Sequence, residues 1–208
     1  MAEKQYNNVD EYIDDLKSAL AKNKECGNTL YNLGVAYISK REFMEAERYL
    51  REAVEASPKM AEANVQLGGI AMQRGDLEGC LNFNILATQQ RPFFAVPWGN
   101  IGFCQLQMGE VDKAESSLKR ALKYDKGFLQ ALATLGSVYI TRGEYDEAMV
   151  HLEKAVSLES MFGPAWNNLA LVYAEKGEWS KAKNAIEQAT ASGYEVPEEL
   201  IKEIETNA

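Results

Sequence analysis

One histidine, three cysteines and five prolines in 208 residues leave little material for catalysis, metal binding or cross-linking. The single histidine, His151, has no cysteine or carboxylate at ligand spacing and is expected at the surface. Without a base of suitable pKa, no nucleophile, base and orienting acid can be assembled. The carboxylates are scattered at solvating positions, and every glycine is explained by the repeat described below, so no phosphate-cradling loop remains. The expectation is a protein that is not an enzyme, with no catalytic residue, no cofactor and no metal site. Cys26, Cys80 and Cys104 form no C-x-x-C and are odd in number. They read as small, buried or half-buried residues in a reducing compartment rather than as disulfide or zinc ligands.

Basic charge is also scarce: 22 Lys and Arg stand against 31 Asp and Glu, a formal net charge of −9. Phosphate backbones need a basic surface, so nucleic acid is not an expected partner. No run approaches the roughly 18–20 apolar residues that cross a bilayer, so no transmembrane segment is expected. The opening Met1-Ala-Glu-Lys-Gln-Tyr-Asn-Asn has no basic region followed by an apolar run. Cytoplasm is the expected compartment, with a place peripheral to a membrane or large complex compatible with it.

What the chain does have is a period. Leu33-Gly34, Leu67-Gly68, Ile101-Gly102, Leu135-Gly136 and Leu169-Ala170 recur every 34 residues. Ala53, Ala87, Ala121, Ala155 and Ala189 keep the same spacing, as do Ala46, Cys80, Ala114, Ala148 and Ala182. So do Leu50, Asn84, Leu118, Leu152 and Ile186. Each unit reads as two helices, over about 28–40 and 44–56 in the first. Small residues stand where the helices cross, and large ones fill the flanks at i, i+4 spacing. Gly75, Gly109, Gly143 and Gly177 end the first helices, because glycine takes the left-handed conformation without steric cost. Pro58 and Pro92 close two of the second helices.

These columns resemble the tetratricopeptide repeat family over residues 27–196. The resemblance implies an all-α, right-handed α-solenoid of helix-turn-helix units at 27–60, 61–94, 95–128, 129–162 and 163–196. Residues 1–26 are expected to carry a capping helix over about 9–22, with Tyr12, Leu16 and Ala19 in second-helix columns. Residues 197–208 are expected to form a C-terminal cap with Leu200 and Ile204 facing the stack.

In such a fold the first helix of each unit lines the concave groove. One groove column reads Asn32, Gln66, Asn100, Thr134, Asn168; the next reads Val35, Gly69, Phe103, Ser137, Leu171; a third includes Ile38 and Leu106. The groove is thus amide-lined beside an apolar track. No Lys or Arg stands on these columns, so the carboxylate clamp of some tetratricopeptide co-chaperones is absent. Asn32, Asn100 and Asn168 resemble the asparagine ladder by which other members hold extended peptides. The expected binding residues are Asn32, Val35, Gln66, Asn100, Phe103, Leu106, Thr134, Asn168 and Leu171.

Three departures stand out. Arg41 replaces the turn glycine. Asn64, Asn84 and Gln105 replace large apolar or tyrosine residues and need partners if buried. Phe93 and Phe94 are adjacent in an inter-helix loop, where both cannot point inward, so the pair is a candidate contact loop. The expected function is a protein-interaction scaffold that receives a peptide or helix of a partner. Self-association into a homo-oligomeric platform, or a fixed place as subunit or assembly factor of a larger enzyme complex, is the alternative.

Overall fold

A computed structural model describes residues 6–208. Among them are twelve α-helices and no strand: α1 (Val9–Lys22), α2 (Gly27–Ser39), α3 (Phe43–Ala56), α4 (Ala61–Gln73), α5 (Leu77–Gln90), α6 (Ala95–Gln107), α7 (Val111–Tyr124), α8 (Leu129–Thr141), α9 (Tyr145–Leu158), α10 (Gly163–Glu175), α11 (Trp179–Ala191) and α12 (Glu198–Asn207). The chain divides after Phe93 into two compact units. In the first, α2 packs on α3 and α4 on α5, with α1 against α2 and α3 against α4. In the second, the pairs are α6–α7, α8–α9 and α10–α11, with α12 against α11 and the first helices α6, α8 and α10 side by side.

Each pair is held by a crossing of small on large. A β-carbon on Gly34 would stand 2.5 Å from Leu50 Cγ, and one on Gly102 would stand 2.5 Å from Leu118 Cγ. The alanines of the repeating columns, Ala46, Ala53, Ala87, Ala114, Ala121, Ala148, Ala155, Ala182 and Ala189, have no exposed surface. These contacts bring the backbones close enough for Leu33, Leu50, Leu118, Leu135 and Leu152 to be wholly enclosed. Each such leucine contributes roughly 1.5–3 kcal/mol.

The turns repeat in detail. Gly109 N donates to Leu106 O at 3.0 Å and Glu110 N to Gln105 O at 2.8 Å. Arg41 keeps the same two bonds, from Arg41 N to Ile38 O and from Glu42 N to Tyr37 O, and adopts φ 60°. A side chain in that conformation costs on the order of 1 kcal/mol. The residue before the turn is a cation in four of the five pairs, and each reaches back to an acid on the preceding helix. Lys40 meets Asp10 at 2.8 Å, Arg74 meets Glu47 at 2.5 Å, Arg142 meets Glu115 at 2.7 Å and Lys176 meets Asp146.

The polar departures are bonded, and Asn64 and Asn84 are buried while Gln105 is half-buried. Asn84, with no exposed surface, occupies the leucine slot against Gly68 and donates to Cys80 O at 2.8 Å. Asn64 donates to Gln90 Oε1 at 3.1 Å, and Gln90 in turn donates to Pro58 O at 2.7 Å. Gln105 accepts from Ser117 Oγ at 2.7 Å. One expectation fails. His151 is half-buried, not a surface residue, because α9 packs on α8 and the His151 ring stacks on Tyr139 at 5.5 Å. Burial, with the positive charges of Lys119 and Lys154, lowers its pKa.

Candidate functional site

The first helices differ from the second helices in charge. Across α2, α4, α6, α8 and α10 the only charged residues are Glu62 and Glu175. By contrast α3 alone carries Glu45, Glu47, Arg48, Arg51, Glu52 and Glu55, laced by i, i+4 pairs such as Arg48–Glu52 at 2.8 Å. Charge is thus concentrated on the second helix in four of the five pairs; in the α4–α5 pair each helix carries a single acid, Glu62 and Glu78.

In the first unit, Asn32 and Val35 lie on α2 and Gln66 on α4, all half-buried. Gln66 also lines a cavity of about 370 Å³ with Ile38, Arg41, Phe43, Gly69, Ile70 and Gln73. Of these only Gln66 is among the binding residues expected from the sequence; Ile38 and Gly69 stand on the groove columns, and Arg41, Phe43, Ile70 and Gln73 stand outside them. The signal available was Arg41 itself, a bulky residue in a glycine column.

In the second unit, Asn100, Phe103 and Leu106 lie on α6, Thr134 on α8, and Asn168 and Leu171 on α10, again half-buried. Two of these polar groups are already engaged. Asn168 donates to Ser137 Oγ at 2.8 Å and to Ala133 O at 3.3 Å, so its amide nitrogen ties α10 to α8 and Oδ1 is the acceptor left to the side chain. Thr134 Oγ1 donates to Gln130 O at 2.7 Å on its own helix. Leu106 and Leu171 pack part of their surface against the core. On the same helix as Asn168, the side-chain oxygen of Asn167 is enclosed without a hydrogen-bond donor.

The loop aromatics separate in burial. Phe93 is 79% exposed, while Phe94 is half-buried and caps α6. Among the described residues no group of three or more His, Cys, Asp or Glu could hold a metal ion, and no helix is long and apolar enough to cross a membrane. Cys80 and Cys104 are buried and Cys26 half-buried, none of them in a disulfide.

Residues 85–192, just over half of the chain, match the family model described as the middle TPR-like domain of cilia and flagella-associated protein 70. Residues 31–79 match a tetratricopeptide repeat model. The BBSome complex member BBS4 of Bos taurus is 27% identical over 126 residues, covering 61% of this chain and 24% of the relative. The chain thus spans about a quarter of that protein's length. Among solved structures, the APC/C hetero-tetramer Cut9–Hcn1 superposes with a TM-score of 0.81 at 19% identity, over 89% of this chain and 36% of that one. YrrB, described as a TPR protein with an unusual peptide-binding site, gives 0.64 at 19% identity, over 85% and 91%. MamA gives 0.65 at 24% identity, over 81% and 92%. Identities this low speak for the fold alone. With the 34-residue helix pairs, their left-handed turns and more than half its length matched, the chain belongs to the tetratricopeptide repeat family, in the branch defined by the middle TPR-like domain of cilia and flagella-associated protein 70.

Proposed function

We propose that this chain is a non-catalytic scaffold whose first-helix faces hold a peptide or helical segment of a partner protein. The observation that carries this reading is the near-absence of charge from α2, α4, α6, α8 and α10 in a protein whose residues are 25% charged. A face that served only solubility would be charged like α3, α7, α9 and α11. An amide offers a donor and an acceptor and so pairs with a peptide group regardless of ligand sequence. Asn32 and Gln66 supply such groups in the first unit, and Asn100 and the amide oxygen of Asn168 in the second. Val35, Phe103, Leu106 and Leu171 supply apolar burial and selectivity.

The test is calorimetric titration with a peptide identified by crosslinking the tagged protein in native lysate. Asn32→Ala should weaken many peptides alike, by roughly 0.5–1.5 kcal/mol. Phe103→Ala should weaken some far more than others. Unchanged affinity in both variants would remove the groove from consideration.

A second reading, as a stoichiometric subunit of a larger assembly, is supported by relatives that are themselves described as members of complexes: the BBSome and an APC/C hetero-tetramer. In that reading the exposed Phe93 is an apolar contact with another subunit or a second copy. Native mass spectrometry of the endogenous protein separates the two, because a fixed subunit travels at constant stoichiometry through high salt and a peptide receptor does not.

A further inference from the structure

Two locally unfavourable residues converge on one cavity in the first unit. Arg41 adopts φ 60° where the corresponding turn residues are Gly75, Gly109, Gly143 and Gly177. Its backbone bonds are the same as theirs, so the substitution gains nothing in the turn. Gly69 stands inside α4, where a β-carbon would meet nothing within 4 Å, so packing does not require a glycine there. The corresponding residues are Val35, Phe103, Ser137 and Leu171. Local rules broken without an internal gain mark functional positions. Both residues line the same 370 Å³ cavity.

The cavity has a defined chemistry. Ile38, Phe43 and Ile70 form apolar walls, Gln66 and Gln73 add amides, and Arg41 adds a guanidinium. Neighbouring cations in this unit are paired, Lys40 with Asp10 and Arg74 with Glu47. Arg41 has no ion pair among the described residues. We infer that this cavity is a subsite for a single carboxylate carried on a short apolar stem, held by Arg41 and the amides of Gln66 and Gln73. One guanidinium matches a monoanion, whereas a phosphate dianion draws on several cations. The protein's net charge of −9 disfavours a strongly acidic ligand. The occupant is therefore a peptide, neutral or basic overall, that places one carboxylate here, from a glutamate side chain or from a chain terminus.

This rests on the groove being a peptide site, and the two can fail separately. Three probes are titrated into the 15N-labelled full chain: N-acetylglutamate N-methylamide, its glutamine counterpart, and N-acetylleucine with a free carboxylate. The glutamate probe should move the backbone signals of Gln66, Gly69 and Gln73, and the glutamine probe should bind at least about tenfold more weakly. Binding of N-acetylleucine in place of the glutamate probe would keep the subsite and assign the carboxylate to a chain terminus. Arg41→Gln and Arg41→Gly should abolish the preference, and the glycine variant restores the turn residue, so its fold is safeguarded. Binding of the glutamine probe equal to that of the better carboxylate probe, no shift at these three residues with either carboxylate, or a preference that survives both variants would overturn the assignment. If groove variants such as Phe103→Ala lose a bound peptide while Arg41→Gln leaves the probe preference intact, the subsite fails and the groove stands. If the probes behave as expected while groove variants keep the peptide, the groove reading fails and the subsite stands.

Discussion

Asn84 and Gly68 face each other across the crossing of α5 and α4 so closely that a β-carbon at residue 68 would overlap the Asn84 amide nitrogen. That nitrogen is bonded to Cys80 O at 2.8 Å, a bond lost if the side chain moves, and Asn84 has no exposed surface. Gly68→Ala should therefore lower stability by roughly 1–3 kcal/mol through overpacking. Gly69, its neighbour, meets nothing within 4 Å. Gly69→Ala should raise stability by about 0.5–1 kcal/mol, the ordinary gain of alanine over glycine in a helix. Paired denaturant titrations check both signs, and equal effects at the two positions would contradict the crossing geometry.

Glu115 ties α7 to α8. Lys119 on its own helix holds it at 2.5 Å, Arg142 at the end of α8 at 2.7 Å, and the Tyr139 hydroxyl donates at 3.1 Å. The Lys119 and Arg142 bonds lower its pKa from 4.5 to about 2. A folded pKa below the unfolded one gives stability that is complete above about pH 4.5 and lost as pH falls toward 2. Glu115→Gln should flatten that limb of a Tm-versus-pH profile. At neutral pH it should cost about 1 kcal/mol, the solvent-screened value of a largely external network. An unchanged acid limb would show that the network contributes nothing.

His151 titrates in a different window. Burial against Tyr139, then the charges of Lys119 and Lys154, push it below 6.5. Its neutral form is favoured by folding, so its contribution is intact above pH 6.5 and declines as pH falls below it. His151→Phe keeps a ring on Tyr139 and removes the titration. The variant's Tm should fall less than the parent's between about pH 7 and about pH 5; parallel profiles would exclude His151 as the cause.

Asn32 and Asn168 belong to the same column but have different duties. Asn168 bonds to Ser137 and Ala133 across the α10–α8 contact. Asn168→Ala should lower stability by about 0.5–1.5 kcal/mol even without a ligand. Asn32 makes no side-chain bond among the described residues, so Asn32→Ala should stay within about 0.5 kcal/mol of the parent. Thermal melts of the two variants decide it. A column acting only through ligands would leave both melts unmoved.

The 34-residue period made the helix pairs legible, because a repeated unit must present the same small residue at each crossing. Ala53 and Ala121 announce buried positions in sequence and are wholly enclosed in the fold. Gly109 and Gly143 announce left-handed turns for the same reason, and they adopt φ 77° and 72°. The groove columns could be listed residue by residue from that period, but their engagement could not. Asn168 is committed to Ser137 because two first helices lie side by side, a contact between residues 31 positions apart. The stacking of His151 on Tyr139 is hidden in the same way.

The sequence by itself determined the all-α fold class, the family and the uncharged character of the first helices. Each follows from local spacing and composition, which are properties of the chain read one residue at a time. Only the tertiary structure decided which side chains are spent on internal bonds and which remain open. Arg41 and Gly69 look like two unrelated irregularities 28 residues apart in the chain. Packing α4 against α3 makes them walls of a single cavity, because a turn residue of one helix pair and a mid-helix residue of the next meet only when the pairs stack.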